Sequence, residues 1–184
     1  MNLLEQQAAN RRKTWLVMIL FTGFLLLIGA GVDLFVIGNG VTFVPVASIA
    51  ALAVGGGQAW WSLQNGDRSV LASASAVPLT TELAAATTDE DRLRCRQLQN
   101  VVEEMAIASG IPVPATYVIP DDDPNAFATG RDPAHASLAV TRGLLRALNR
   151  EELQGVVAHE MGHIRNFDIR LMTVVAALVG AVVL

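Results

Sequence analysis

The chain holds a single cysteine, Cys95, one lysine, Lys13, and one tyrosine, Tyr117, among its 184 residues. One cysteine closes no internal disulfide, so the fold rests on packing and nothing points to an oxidising compartment. Charge is scarce as well: Asp, Glu, Lys and Arg make up 16% of the residues, where ordinary soluble chains carry about 25%. The net charge is −4 and no long basic run is present. The electrostatic footprint for nucleic acid is therefore lacking, and no such partner is expected. What the chain has in excess is apolar surface, with 52% hydrophobic residues and a mean hydropathy of +0.43. That composition excludes disorder and suits a wholly soluble protein poorly.

The apolar residues are concentrated. Trp15 to Val32 is eighteen residues without a charge, and a second uncharged stretch runs from Leu34 through Leu63. About 20 mostly apolar residues cross a bilayer, so two spans are expected, near Trp15–Val32 and Val41–Trp61. Asp33, Gly38, Asn39 and Gly40 supply a tight turn between them. Trp15 and Trp60–Trp61 then mark the headgroup level of one leaflet. A cleaved signal peptide fits less well, because its apolar core is shorter and no second span follows at once. Gly55, Gly56 and Gly57 read as flexibility rather than as a packing face. Arg11, Arg12 and Lys13 precede the first span, Arg68 follows the second, and the turn carries no positive charge. The positive-inside bias places the N-terminus and everything after Leu63 in the cytoplasm. The expected protein is thus a multi-pass protein of the cell's inner (plasma) membrane, solvated by the lipid bilayer. Residues 1–14 form its cytoplasmic N-terminus and residues 15–63 a two-helix transmembrane hairpin.

Residues 64–88 are polar and aperiodic and read as a connector. Thr88, with Asp91 three positions on, marks a helix start. Leu98, Val101, Val102 and Met105 recur at helical spacing before Gly110 and Pro112 end the run. Cys95 near its start reads as a small buried side chain. Ala115–Ile119, Asn125–Thr129 and Ala136–Thr141 are short, alternating or apolar, and bounded by Pro, Asp and Gly, which predicts three strands. Asp121, Asp122 and Asp123 lack the alternating spacing of a calcium loop and read as a solvated turn. His135 reads as a surface or packing histidine.

The chemistry sits at His159-Glu160-Met161-Gly162-His163. Asn149 can cap a helix whose first turn holds Glu151 and Glu152, and apolar Leu153, Val156 and Val157 lead into the motif. Residues four apart differ by about 40° in azimuth, so His159 and His163 share a face and can hold one Zn²⁺ between them. Glu160, about 100° from His159, reaches a water on that metal without ligating it. Such a water is acidified towards a pKa of about 7, and Glu160 serves as general base towards a peptide carbonyl. Two histidines and a glutamate on an apolar helix would be costly to bury without a purpose.

Asn125 to Asp132 (NAFATGRD), Leu138 to Leu145 (LAVTRGLL), Asn149 to Leu153 (NREEL) and His159 to Asp168 (HEMGHIRNFD) together resemble the HtpX-type membrane metallopeptidases. The resemblance runs through essentially the whole chain. It implies an α+β membrane protein: the transmembrane helical hairpin, then a gluzincin-like cytoplasmic domain of helices with a small β-sheet over residues 89–170. It implies zinc ligands at His159 and His163, the general base at Glu160, and a substrate strand that pairs beside Asn125 and Ala126 by β-strand addition. The substrates it implies are polypeptides, misfolded or surplus membrane proteins above all, in a stress-response or quality-control role. The family draws its third zinc ligand from a downstream Glu, and no residue here matches it. Asp168 lies about 140° beyond His163 on a continuing helix and could serve only if that helix broke sharply. Leu171 to Leu184 is an apolar run of fourteen residues, shorter than a span, and reads as the start of a third transmembrane helix. On this reading the third ligand lies beyond Leu184, and the chain alone binds zinc weakly and is inactive. The alternative is a catalytically inactive membrane adapter that keeps the peptidase fold.

Overall fold

The computed structural model describes residues 3–38 and 45–183. Two long helices, α1 (Leu3–Gly38) and α2 (Val46–Ser73), are followed by β1 (Val77–Pro78), α3 (Leu79–Ala85) and α4 (Asp89–Ser109). Then come β2 (Ala115–Ile119), β3 (Ala126–Gly130), a 3₁₀ turn at Pro133–His135, β4 (Ala136–Thr141), α5 (Arg142–Ala147), α6 (Arg150–Asn166) and α7 (Asp168–Val183). The sheet order is β1-β2-β4-β3. β2 and β4 run parallel, and the outer strands β1 and β3 pair antiparallel to them.

The two long helices run antiparallel because small residues let their backbones meet. A Cβ on Gly29 would stand 2.6 Å from the Ala47 carbonyl, and one on Gly55 would stand 3.1 Å from Leu25. Gly55 is therefore a packing position, unlike Gly56 and Gly57, whose surroundings are open. Asp33, expected in the turn, lies inside α1. Its carboxylate accepts from the backbone N–H groups of Ala47 (2.9 Å) and Ser48 (2.8 Å). It thereby caps the first turn of α2, where Pro45 offers no capping side chain. Gly38 is also helical, while Asn39, Gly40 and the expected start of the second span at Val41 fall outside the described residues. Among the described residues one helix, Leu4–Val36, is long and apolar enough to cross a membrane. It leaves Ile19, Leu20, Phe24, Leu27 and Phe35 exposed. α7 lies in the cleft of the pair: Thr173 and Ala177 meet Gly66 of α2, and Val174 and Leu178 pack with Met18, Ala59 and Leu63.

The stretch 64–88 is more ordered than its composition suggests. α2 continues to Ser73, β1 joins the sheet through Val77 opposite Val118, and α3 is held by buried Leu79 and by Glu82. That glutamate takes two bonds from the Arg142 guanidinium, at 2.6 and 3.0 Å. Strand pairing and a bidentate ion pair are tertiary effects that local periodicity does not register. By contrast α4 starts and stops as expected. Thr88 Oγ1 accepts from the Asp91 N–H (3.1 Å), and Gly110 closes the helix with φ of 67°.

The core forms where α4 and α6 lie on the sheet. Leu98, Val101 and Val102 of α4 meet Val118, Leu138 and Val140 of the strands and Leu153, Val157, Met161 and Ile164 of α6. Complete burial of each such aliphatic side chain contributes about 1.5–3 kcal/mol. Cys95 belongs to this core, and burial raises its thiol pKa, with Glu82 and Asp91 adding to the shift. The three strands match expectation to within one residue, and Asp121–Asp123 is a turn: Asp121 Oδ1 accepts from Asp123 N–H and Arg146 pairs with Asp122.

Candidate metal centre

α6 begins with a full capping box. Asn149 Oδ1 accepts from the Glu151 and Glu152 N–H groups (2.9 and 3.0 Å), and Glu152 Oε2 accepts from the Asn149 N–H (2.9 Å). The apolar stripe Leu153, Val157, Met161 and Ile164 faces the core. At 100° per residue His159 and His163 then fall on the opposite face and Glu160 at its flank. The burial follows that wheel, with His159 exposed and Glu160 and His163 half-buried.

The two imidazoles meet edge to face, their ring planes 88° apart. Their Nε2 atoms stand 3.1 Å apart. Nitrogens bonded to one tetrahedral zinc at about 2.0–2.1 Å are separated by about 3.3 Å, so this pair fits such an ion with little movement. Nδ1 of His163 lies 2.7 Å from Asp168 Oδ2. That contact fixes Nδ1 as the protonated nitrogen and leaves Nε2 as the donor to a metal.

Asp168 reaches His163 because the helix does not continue. α6 ends at Asn166, and Phe167 adopts a left-handed conformation (φ 61°, ψ 16°) before α7 starts at Asp168. Such a conformation in a residue with a large side chain costs on the order of 1–3 kcal/mol and persists only where its surroundings impose it. The sharp break that Asp168 required is thus present, and it delivers the carboxylate to the back of His163. Among the described residues no group of three His, Cys, Asp or Glu side chains is placed to hold a metal. His135 is engaged elsewhere, by Asp132 (2.7 Å) and Arg131 (3.0 Å).

Glu160 is tied to the sheet. Its Oε2 accepts from the Ala128 N–H at 3.0 Å, and burial raises its carboxyl pKa above the ordinary glutamate value, against the pull of His163, the Ala128 N–H and His159. A carboxylate whose pKa moves up is better matched to proton transfer near neutrality. β3 is an edge strand, with β4 on one side only. Asn125, just before it, turns its main chain towards β4: its N–H donates to Thr141 Oγ1 and its carbonyl accepts from the Thr141 N–H, both at 2.9 Å. By strand alternation the outward main-chain groups belong to Ala126, Ala128 and Gly130. Gly130 itself has φ of 137°, and a Cβ there would lie 2.3 Å from the His135 carbonyl. The roles of Ala128 and of Asp168 behind His163 are additions to the sequence reading.

The hydrogen bond to Asp168 raises the pKa of the His163 ring. A group whose folded pKa is raised contributes stability that is complete below its unfolded pKa, about 6.5 for histidine. That stability is lost as the pH rises through the folded value. With a chelator present, wild type is expected to exceed Asp168→Asn in melting temperature by more at pH 6 than at pH 9. Thermal denaturation followed by circular dichroism at both pH values checks this.

The sequence pattern of peptidase family M48 matches residues 92–184. The chain is 43% identical over 182 residues to the "Protease HtpX homolog" of Caldanaerobacter subterraneus subsp. tengcongensis, covering 99% of this chain and 56% of that protein. It is 40% identical over 184 residues to the protein of the same name from Lactobacillus helveticus, covering 98% and 55%. A third relative of that name, from Listeria monocytogenes, is 40% identical over 180 residues. The chain spans about half the length of the curated relatives it matches.

Proposed function

Since this chain belongs to peptidase family M48 and is of the HtpX type, we propose that it carries the catalytic helix of a membrane-bound zinc metalloendopeptidase. The observation that carries this reading is the convergence of His159 and His163 at 3.1 Å beside a half-buried Glu160 held against a sheet edge. His159 and His163 would hold the zinc, which supplies Lewis-acid polarisation of the scissile carbonyl and acidifies the attacking water. With Oε2 of Glu160 held by Ala128, Oε1 accepts the proton of that water and returns it to the leaving amine. An extended polypeptide pairs with the outward edge of β3 at Ala126, recognised through its main chain and tolerated in its side chains. Asn125 fixes the start of that edge against Thr141 and presents its exposed side chain beside it.

The membrane part of the reading is a hairpin of α1 and α2 with α7 as a third span, and with the N-terminus and site in the cytoplasm. The exposed apolar surface of α1 supports it. Arg150, Glu151, Glu152, Arg165 and Asp168 flank the motif, a charge density that keeps the cleft at or outside the bilayer surface. Misfolded or surplus membrane proteins are the substrates such a location favours. Two histidines are fewer than the three protein ligands of a catalytic zinc site, so the 184-residue chain by itself binds zinc weakly and is inactive.

The test is hydrolysis of an unfolded polypeptide in liposomes by this chain extended through the C-terminal part of an HtpX relative: added zinc should start it and a chelator stop it, while the 184-residue chain alone should cleave nothing. Tight zinc binding without hydrolysis in every reconstituted form would favour the adapter and overturn the enzyme reading.

A further inference from the structure

The first three turns of α1 precede its apolar stretch and would serve, by composition alone, to carry the positive charges that orient the helix. In the structure they touch the catalytic helix. Gln7 Nε2 donates to the Arg165 carbonyl at 2.8 Å and Asn10 Nδ2 to the Asn166 carbonyl at 3.0 Å. The Arg11 guanidinium stands 4.5 Å from the centre of the Phe167 ring. Positions 7, 10 and 11 lie on one helical face, and Thr14, fully buried, extends it with its hydroxyl donating to the Asn10 carbonyl at 3.0 Å.

The targets are as specific as the donors. Arg165 and Asn166 are the last two residues of α6, whose carbonyls have no donor within the helix and form the negative end of its dipole. Phe167 is the left-handed residue that turns the chain so that Asp168 meets His163. A cation over its ring favours the side-chain position that goes with this backbone. One face of α1 thus satisfies the end of α6 and steadies the residue on which the carboxylate behind His163 depends.

We infer that Gln7, Asn10 and Arg11 are positioning residues of the metal centre: the leading turns of α1 brace the break at Phe167 and thereby hold Asp168 on His163. This rests on the reading of His159 and His163 as metal ligands. Because α1 is unbroken from Leu3 to Gly38, the brace and the apolar stretch are one rod.

The experiment titrates the 184-residue chain in detergent micelles with Co²⁺ alone and follows the visible d–d absorption of the bound ion. Gln7→Glu points a carboxylate at a carbonyl and Asn10→Ala removes a donor. Each should weaken Co²⁺ binding about 3–10-fold and alter the band shape, a fraction of the 10–100-fold carried by direct outer-shell partners. Gln7→Lys keeps a donor to the helix end and should stay within about twofold of wild type. Wild-type affinity and spectrum in both Gln7→Glu and Asn10→Ala would overturn the inference. So would equal weakening by Gln7→Lys and Gln7→Glu, since the loss would then follow damage to the fold. His159→Ala separates the two levels: it should abolish binding, and binding that survives it would overturn the metal reading, not the brace alone.

Discussion

Glu160→Gln is expected to lower peptide-bond hydrolysis by about 10²–10⁴-fold, the range that a positioned general base contributes, in any reconstituted form of the protein that cleaves. Zinc affinity should stay within about twofold, because Glu160 flanks the histidines and its Oε2 is directed to the sheet by Ala128. Glutamine keeps the size of the side chain and its acceptor for that N–H. What it loses is the oxygen that takes the proton. Burial raises the carboxyl pKa of Glu160, and a dication held by His159 and His163 would pull it back down. The measurement is kcat with saturating zinc beside zinc content by equilibrium dialysis. Unchanged kcat in the variant would remove Glu160 from the reaction, and lost zinc would make it a ligand.

Asp168→Ala is expected to cost about 10–100-fold in zinc affinity, as loss of an outer-shell partner of a metal-bound histidine does. The carboxylate does three things through one 2.7 Å contact. It selects the His163 tautomer, orients the ring and makes Nε2 a stronger donor. It also favours the protonated ring, which competes with metal, so the benefit of Asp168 to metal binding should shrink as the pH falls below the histidine range. Zinc titrations of wild type and Asp168→Ala near pH 8 and pH 6 should show the larger difference at pH 8. Equal affinities at both pH values would leave Asp168 as a helix-start residue without a part in the site.

The HEMGH motif, the Asn149 cap and the short, mostly apolar run Ala136–Thr141 are local patterns, and each maps directly onto α6 or β4. Placement of both histidines opposite the core stripe follows from helical geometry alone. The break at Phe167 is another matter. Glycine and asparagine announce a left-handed residue, and phenylalanine does not, so Asp168 could be placed behind His163 only once the fold was known. Asp33 misleads for a related reason: an acidic residue after an apolar run resembles a turn, and here it caps a neighbouring helix through space. Nothing local to Gln7 or Asn10 names carbonyls 158 and 156 residues away as their partners.

The end of β3 has one more consequence. Thr173 of α7 is buried, its hydroxyl 2.7 Å from that of Thr129 and accepting from the Gly130 N–H at 2.9 Å. An open sheet edge is a template for pairing with other copies of the same strand, and proteins commonly blunt it. Here a threonine from a helix plugs the last outward N–H of the strand and Glu160 occupies the one before it. Two copies could not zip together along β3 without breaking a buried hydroxyl contact. Of the outward groups of β3, only those near Ala126 are left without such a partner from α6 or α7.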